Sequence, residues 1–488
     1  MSALDLTHFI DGVPTSLASG DRISVFNPAD PRRVVGTLSA GTATDVDRAV
    51  RSAARAQLSW SERSLEERCR LVKAAGEAIG AAAQDAAPTL TSEMGKVVAE
   101  SLMDFGAPGY GWSVMVDDVP AVRKTLHSEL KDGIGPVDLY RRPVGVVGAI
   151  VPWNWPLALL GVKLGPALVA GNTVVAVPSP YASLAVLQAV QTLQEVLPPG
   201  VVNVVTGAGA EGGSALVAHP GVGMVAFTGG VEVGREVAAS AGRHLKPAVL
   251  ELGGNDAAVL FDDVPVTDGL IESIVAGSMM TAGQVCFAIK RLLVHRSLYD
   301  DVVSRMADAL SAVVVGDGLD PESTMGPLAN SRQNDRFTGI LEEAERDGAK
   351  VTDLGRFTAA AVAGTGYFHL PRLVTQVSAS SRIVQDEQFG PALPVLPFST
   401  DEEAIDMVNG TPFGLTASLW SADSARARAL ADRVAAGVTF INQHGLAAFD
   451  SRAPFGGTKH SGYGREMGLE GMLEFTWTQQ VNDRHAVM

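Results

Sequence analysis

The chain has 488 residues and is 46% hydrophobic, enough for large buried cores and, at roughly 150 residues per domain, for two to four domains. Its 38 Lys and Arg against 54 Asp and Glu give a net charge of −16, which excludes broad nucleic-acid or anionic-membrane binding but not a cofactor phosphate held by backbone N–H groups. With only two cysteines, Cys69 and Cys286, a disulfide framework and a Cys-rich zinc site are both excluded, and no metal is expected.

The opening MSALDLTHFIDG lacks a basic segment followed by an apolar one, so no signal peptide is read, and a soluble cytoplasmic protein is expected. Residues 1–40 carry short β-like runs, ISVFNP and VVGTLSA. From Thr44 to about Leu126 helical signals dominate. Thr44 is a candidate cap for a helix facing inward through Val46, Ala49 and Val50. Leu65, Leu71, Val72 and Ala75 mark the next helix, which carries Cys69 among charged neighbours as a structural thiol. Residues 127–145 read as an extended hairpin. From 146 onward five strands are predicted: 146–151, 173–177, 201–205, 224–229 and 248–252. Ala/Leu-rich helical stretches separate them, a pattern that implies a parallel sheet with right-handed crossovers. Pro152, Pro156, Lys163 and Pro166 break the apolar 143–177 stretch, so it is no membrane span. A second α/β set begins near Gly253, with a helix over 268–280, strand RLLVH, a helix from Leu298 to Val313, and strands near LPRLVT and LPVLPF. The tail returns to β-like alternation at EFTWTQQV.

Four local patterns carry chemistry. Cys286 lies between a predicted helix and a strand, a placement that suits a nucleophile, although a lone buried cysteine is more often inert. Glu251 ends a strand beside Gly253 and Gly254, where a general base fits as well as an ordinary strand-end acid. Asn154 sits between two prolines and two tryptophans in PWNWP, either as a rigid amide donor or as a turn residue. Gly229, Gly230 and Gly234 follow a strand and open a helix, as in a phosphate-cradling turn, but without the Lys-Ser/Thr of a nucleoside-triphosphate loop.

PWNWP, GNTVV, FTGG, ELGGN, GQVC, EQFGP and PFGGTKHSG occur in one order from end to end. In this the chain strongly resembles the NAD(P)-dependent aldehyde dehydrogenase superfamily. The resemblance implies that Cys286 attacks an aldehyde as a thiolate. Asn154 and the Cys286 N–H would hold the oxyanion, Glu251 would activate water against the thioester, and Lys163 would relay protons. It implies NAD, with NADP as the alternative. Ile150, Pro152, Trp153, Val177, Pro180, Gly229, Gly230, Gly234, Leu252, Glu387 and Phe389 would line the cofactor, with Glu387 binding the nicotinamide ribose. Five positions depart from the family pattern. Val177, Pro180 and Gly230 replace a ribose-binding lysine, a glutamate and a phosphate-binding serine. Trp477 and Gln479 stand where many members have Glu and Lys.

Trp112, Trp155, Gln284, Phe287 and Phe449 are candidate pocket walls, favouring an apolar or aromatic aldehyde. The expected architecture is α/β. A Rossmann-like cofactor domain takes 1–126 and 146–250, and an α/β catalytic domain takes 251–453. A β-rich oligomerisation arm and tail takes 127–145 and 454–488 and implies a homodimer or homotetramer. The rival functions are a CoA-acylating aldehyde dehydrogenase and a redox-inactive binding protein of the same fold.

Overall fold

The computed structural model describes residues 3–15, 21–117, 137–207, 209–363 and 365–482. The five strands read from alternation form at Val146–Val151, Thr173–Pro178, Val202–Val204, Met224–Thr228 and Ala248–Glu251. They are rich in β-branched residues and buried on both faces, as parallel strands covered by helices must be. They pair in parallel in the order 202–204, 173–178, 146–151, 224–228, 248–251. The antiparallel strands His8–Ile10 and Val13–Thr15 extend one edge, and Gly462–Tyr463 closes the other.

The second sheet has the order Lys350–Asp353, Arg372–Thr375, Ala392–Phe398, Ile289–His295, Asp256–Leu260, Thr416–Trp420, Val438–Ile441. All its pairings are parallel except the first. Each sheet has its own apolar core.

The first long helix, Ala43–Glu62, is capped by Thr42 rather than Thr44. The Thr42 hydroxyl accepts from Asp45 N, and the Asp45 carboxylate accepts from Thr42 N at 2.9 Å. This reciprocal pair satisfies two otherwise orphaned donors and outcompetes a cap two residues later. Cys69 lies in the helix Leu65–Ala81, half-buried against the first core.

The expected 127–145 hairpin falls partly outside the described residues, at 127–136. Its remaining strand, Val137–Pro143, pairs antiparallel with Thr476–Asn482. Tyr140, Trp477 and Val481 are exposed on this ribbon. The tail before it turns inward: Tyr463 pairs with Leu250, and Phe455 bridges to Glu466. Among the described residues no helix is long and apolar enough to cross a membrane.

Candidate active site

The first sheet changes winding direction between Val146–Val151 and Met224–Thr228, the place where open α/β sheets leave a crevice at their carboxyl ends. The turn 152–155, the strand end at Glu251 and the glycines at 229–230 leave the sheet there. The loop 284–288 comes to the same place from the second sheet: the Asn154 side-chain amide donates to Gln284 O at 3.0 Å. An amide carries two N–H groups, so one remains for a ligand.

A buried polar frame fixes this turn. The Lys96 ammonium donates to Asn154 O (2.9 Å) and to Asp104 (2.7 Å) and lies 4.1 Å from the centre of the Trp155 ring. The other Asp104 oxygen accepts from Ala158 N at the start of the helix Pro156–Val169. One turn earlier on the same helix, Val98–Asp117, Glu100 accepts from Thr281 N at 2.8 Å, and the Trp155 indole donates to the Thr281 hydroxyl. Thr281 and Ala282 both have φ near +53°, a left-handed pair that ordinary residues hold only when their surroundings dictate it. One helix therefore braces both the Asn154 turn and the approach to Cys286. Lys96→Met leaves the Asp104 carboxylate buried without its cation and is expected to destabilise the fold by about 3–5 kcal/mol, measured by denaturant unfolding.

Cys286 is partly open to the crevice. Burial pushes its thiol up to about 12; Lys290 pulls it down, while Glu387, Asp256 and Glu251 add to the rise. Its own backbone N–H makes no hydrogen bond among the described residues.

Glu251 is buried, and neither carboxylate oxygen has a hydrogen-bond partner among the described residues. Burial raises its pKa well above the ordinary carboxylate range, with Glu466 adding to the rise and Lys163 and Arg465 opposing it. Lys163 does not snorkel outward. It is fully buried, donates to the Thr228 hydroxyl at 2.6 Å and pairs with Glu466. Glu466 was not foreseen from the sequence, although it sits in GYGRE just after the PFGG motif.

The glycine turn fits a closely approaching ligand. Gly229 N donates to Glu251 O, and Gly230 caps the helix Val231–Arg243 without a side chain. A Cβ at Gly230 would meet open space. A Cβ at Gly234 would lie 2.4 Å from Leu252, so glycine is what lets the helix pack against that residue. Ile150 pairs with Val177 across adjacent strands. Val177 is buried in an apolar cluster with Phe227 and Leu252. Pro180 lies just past its strand and offers no donor. Pro152 leads into Trp153, whose ring meets Phe389 edge-on at 5.6 Å. Glu387 accepts from Gly254 N at 3.1 Å and lies 3.7 Å from the Lys290 ammonium.

The aromatic grouping forms in part. Phe287 stacks edge-on against Phe449 at 4.7 Å, Phe449 meets Phe455 at 5.1 Å, and Trp155 packs with Val285, Ala288 and Phe287. Two of the expected wall residues are engaged elsewhere. Trp112 lies in the first sheet's core, with its indole donating to Gly161 O at 2.8 Å. The Gln284 side chain donates to Thr281 O and Pro327 O and accepts from Ala329 N, because a buried amide must be paired. Phe455 belongs to the grouping and was not foreseen.

A doubly wound sheet whose crevice brings together a cysteine, an amide donor, a buried carboxylate and a glycine-lined helix start is the architecture of a dinucleotide-dependent enzyme. A family model described as "Aldehyde dehydrogenase family" matches residues 16–481, and the chain belongs to that family. Among solved structures, a Burkholderia cenocepacia chain of the same fold is 34% identical, with 98% of this chain and 100% of that chain covered and a TM-score of 0.94. Betaine aldehyde dehydrogenase of Staphylococcus aureus, solved with NAD+, is 30% identical over 99% of this chain and 95% of that one, with a TM-score of 0.93. An aldehyde dehydrogenase of Bacillus cereus, also solved with NAD+, is 31% identical over 99% and 97%, again with a TM-score of 0.93.

Proposed function

We propose that this protein oxidises an apolar or aromatic aldehyde to the carboxylic acid with NAD, through covalent intermediates on Cys286. The observation that carries this reading is Glu251, a buried carboxylate whose two oxygens have no hydrogen-bond partner among the described residues and which lies near enough to Cys286 to raise its thiol's pKa. Such a group is costly to maintain unless a water or substrate uses it. NAD, when bound, supplies the hydride acceptor. The open helix start at Gly230 would hold its pyrophosphate, Gly234 lets that helix pack against Leu252, and Glu387 would receive its ribose hydroxyls.

Cys286 adds to the aldehyde carbon, and the Asn154 amide and Cys286 N–H receive the developing oxyanion. Loss of hydride from that carbon leaves a thioester on Cys286. Glu251 takes a proton from water, whose oxygen attacks the thioester and frees the acid. The Lys163–Glu466 pair lies behind Glu251 as the group through which that proton charge is balanced. Glu251 favours water over CoA as the acceptor, since thiolysis needs no base for water. An aldehyde panel assayed with NAD, NADP and CoA tests the reading: NAD reduction without CoA supports it, and reduction only with CoA overturns it.

NAD is expected to bind more tightly than NADP, and both weakly at the adenosine end. Val177, Pro180 and Gly230 provide no side-chain donor there, and a hydrogen bond to a charged donor is worth roughly 1.5–3 kcal/mol. Calorimetric titration of both cofactors checks this. Tighter binding of NADP would transfer the 2′-phosphate to a cation such as Arg235, which in this structure pairs with Glu232 at 2.9 Å. The exposed ribbon of 137–143 and 476–482 is the surface through which a homodimer or homotetramer would form; light scattering of the purified protein reads that state.

A further inference from the structure

We propose that Lys290 is a positioning residue that aims the oxyanion-binding N–H of Cys286, an inference that rests on the acyl-transfer role given to Cys286 above. Lys290 is the second residue of the strand Ile289–His295, four residues after Cys286, and its side chain turns back under the nucleophile loop instead of into solvent. It is only 2% exposed. Its ammonium donates to Val285 O at 2.7 Å, to Cys286 O at 2.8 Å and, at the long limit, to Ala288 O at 3.4 Å.

The contact with Val285 O decides the matter. Val285 C=O and Cys286 N–H belong to one peptide unit, which is planar and trans, so the two groups point in opposite directions. An ammonium fixed on the oxygen therefore fixes the N–H on the other side. That N–H is unpartnered among the described residues. The neighbouring peptides are held as well: Gln284 O receives the Asn154 amide, and Phe287 O lies 2.8 Å from His444 Nε2. Each of these partners grips one carbonyl, whereas Lys290 grips two in succession, on either side of the cysteine. A cation on the carbonyl also polarises the amide and strengthens its N–H as a donor.

The lysine is itself located by its surroundings. Gln388 donates to Lys290 O at 3.0 Å, and the Glu387 carboxylate lies 3.7 Å from the ammonium. Asp256 is the other acid that feels its charge, and burial holds nearby His444 neutral, at about 4. The same ammonium also favours the Cys286 thiolate. A test must therefore separate ionisation of the sulfur from stabilisation of the oxyanion.

Two reactions of Cys286 do so without any cofactor. Acylation by p-nitrophenyl acetate passes through a tetrahedral oxyanion, whereas alkylation by iodoacetamide displaces iodide at a saturated carbon and forms none. Both need the same thiolate, so the ratio of their rates cancels its population. Lys290→Met, Lys290→Gln and Lys290→Arg are compared in a Cys69→Ala background, where Cys286 is the sole cysteine. The expected result is a fall of about 10-fold or more in the acylation-to-alkylation ratio for Lys290→Met, below the roughly 10²–10³ lost with a whole oxyanion donor. Lys290→Arg should return the ratio to within about threefold of the parent, because the guanidinium still donates to carbonyls with a positive charge. If Lys290→Met does not fold, Lys290→Gln, neutral but still a donor, gives the same comparison with a smaller expected fall.

An unchanged ratio in the neutral variants, even with both rates reduced, overturns the proposal and assigns Lys290 to thiol ionisation alone. Absence of Cys286 acylation in the parent also overturns it. Aldehyde-dependent reduction of NAD is followed separately. Its absence would sink the dehydrogenase reading, while the ratio would still decide the part played by Lys290.

Discussion

Cys286→Ala is expected to lower aldehyde oxidation by at least about 10⁴-fold, the scale on which covalent catalysis fails when its nucleophile is removed. Every other part of the site acts on an intermediate that the alanine cannot form. The Asn154 amide, the peptide N–H and the Glu251 carboxylate would still surround the aldehyde, but no carbon–sulfur bond would activate it for hydride loss. The structure also says why the effect should be specific. Cys69 is half-buried in a helix against the first core, on a different element from the site, so Cys69→Ala should keep turnover near that of the parent. Steady-state NADH production by the two variants checks the pair. Retained turnover in Cys286→Ala would end the covalent mechanism. Because the resting thiol sits near 12, the burst of NADH in the parent should accelerate as pH rises through the neutral range.

Glu251→Gln is expected to give one burst of NADH and then turn over about 10²–10⁴-fold more slowly, the usual worth of a positioned general base. Addition to the aldehyde and hydride loss need the sulfur and the oxyanion donors. Hydrolysis of the thioester needs a water stripped of its proton. The sign of the pH dependence follows from the raised pKa of the buried carboxylate. Glu251 works as a base only when ionised, so hydrolysis in the parent should fail as pH drops through a value above the ordinary carboxylate range. Glutamine does not titrate, and the variant should lose that limb. Stopped-flow measurement of burst size and the subsequent slow phase across pH reads both effects. Full steady-state turnover would remove Glu251 from this step.

Much of this arrangement was legible in the residues. Strands buried on both faces write themselves as short β-branched runs, which is why those at 146–151, 173–178 and 224–228 could be bounded closely. Cys286, Glu251 and Asn154 stood out because each sits where a strand or helix ends, and local sequence marks such ends with glycine and proline. The supporting charges were not legible. Lys163 meets Glu466 across 303 residues of chain, and Lys96 reaches Asn154 across 58. No local periodicity reports which buried lysine faces which carboxylate; only the packed fold decides it. Gln284 and Trp112 show the converse. Their types suited a pocket wall, but a buried amide and an indole N–H are drawn to the nearest unpaired carbonyls, and both found them inside the protein. The arm was half legible, since alternation marks an extended segment without naming its partner.

The inward turn of residues 454–466 bears on how the enzyme comes into being. A ribosome delivers all the parallel strands of both sheets before it delivers the Ser461 hydroxyl that links Gly253 O to Gly414 N, the Tyr463 edge beside Glu251, and Glu466. Until then the buried Lys163 lacks its ion pair with Glu466 and has the Glu251 carboxyl as its nearby opposite charge. Glu466 follows Cys286 by 180 residues, so at roughly 5–20 residues per second the interval between them lasts about 9–36 s. The surroundings of Cys286 are thus completed only by residues made well after it.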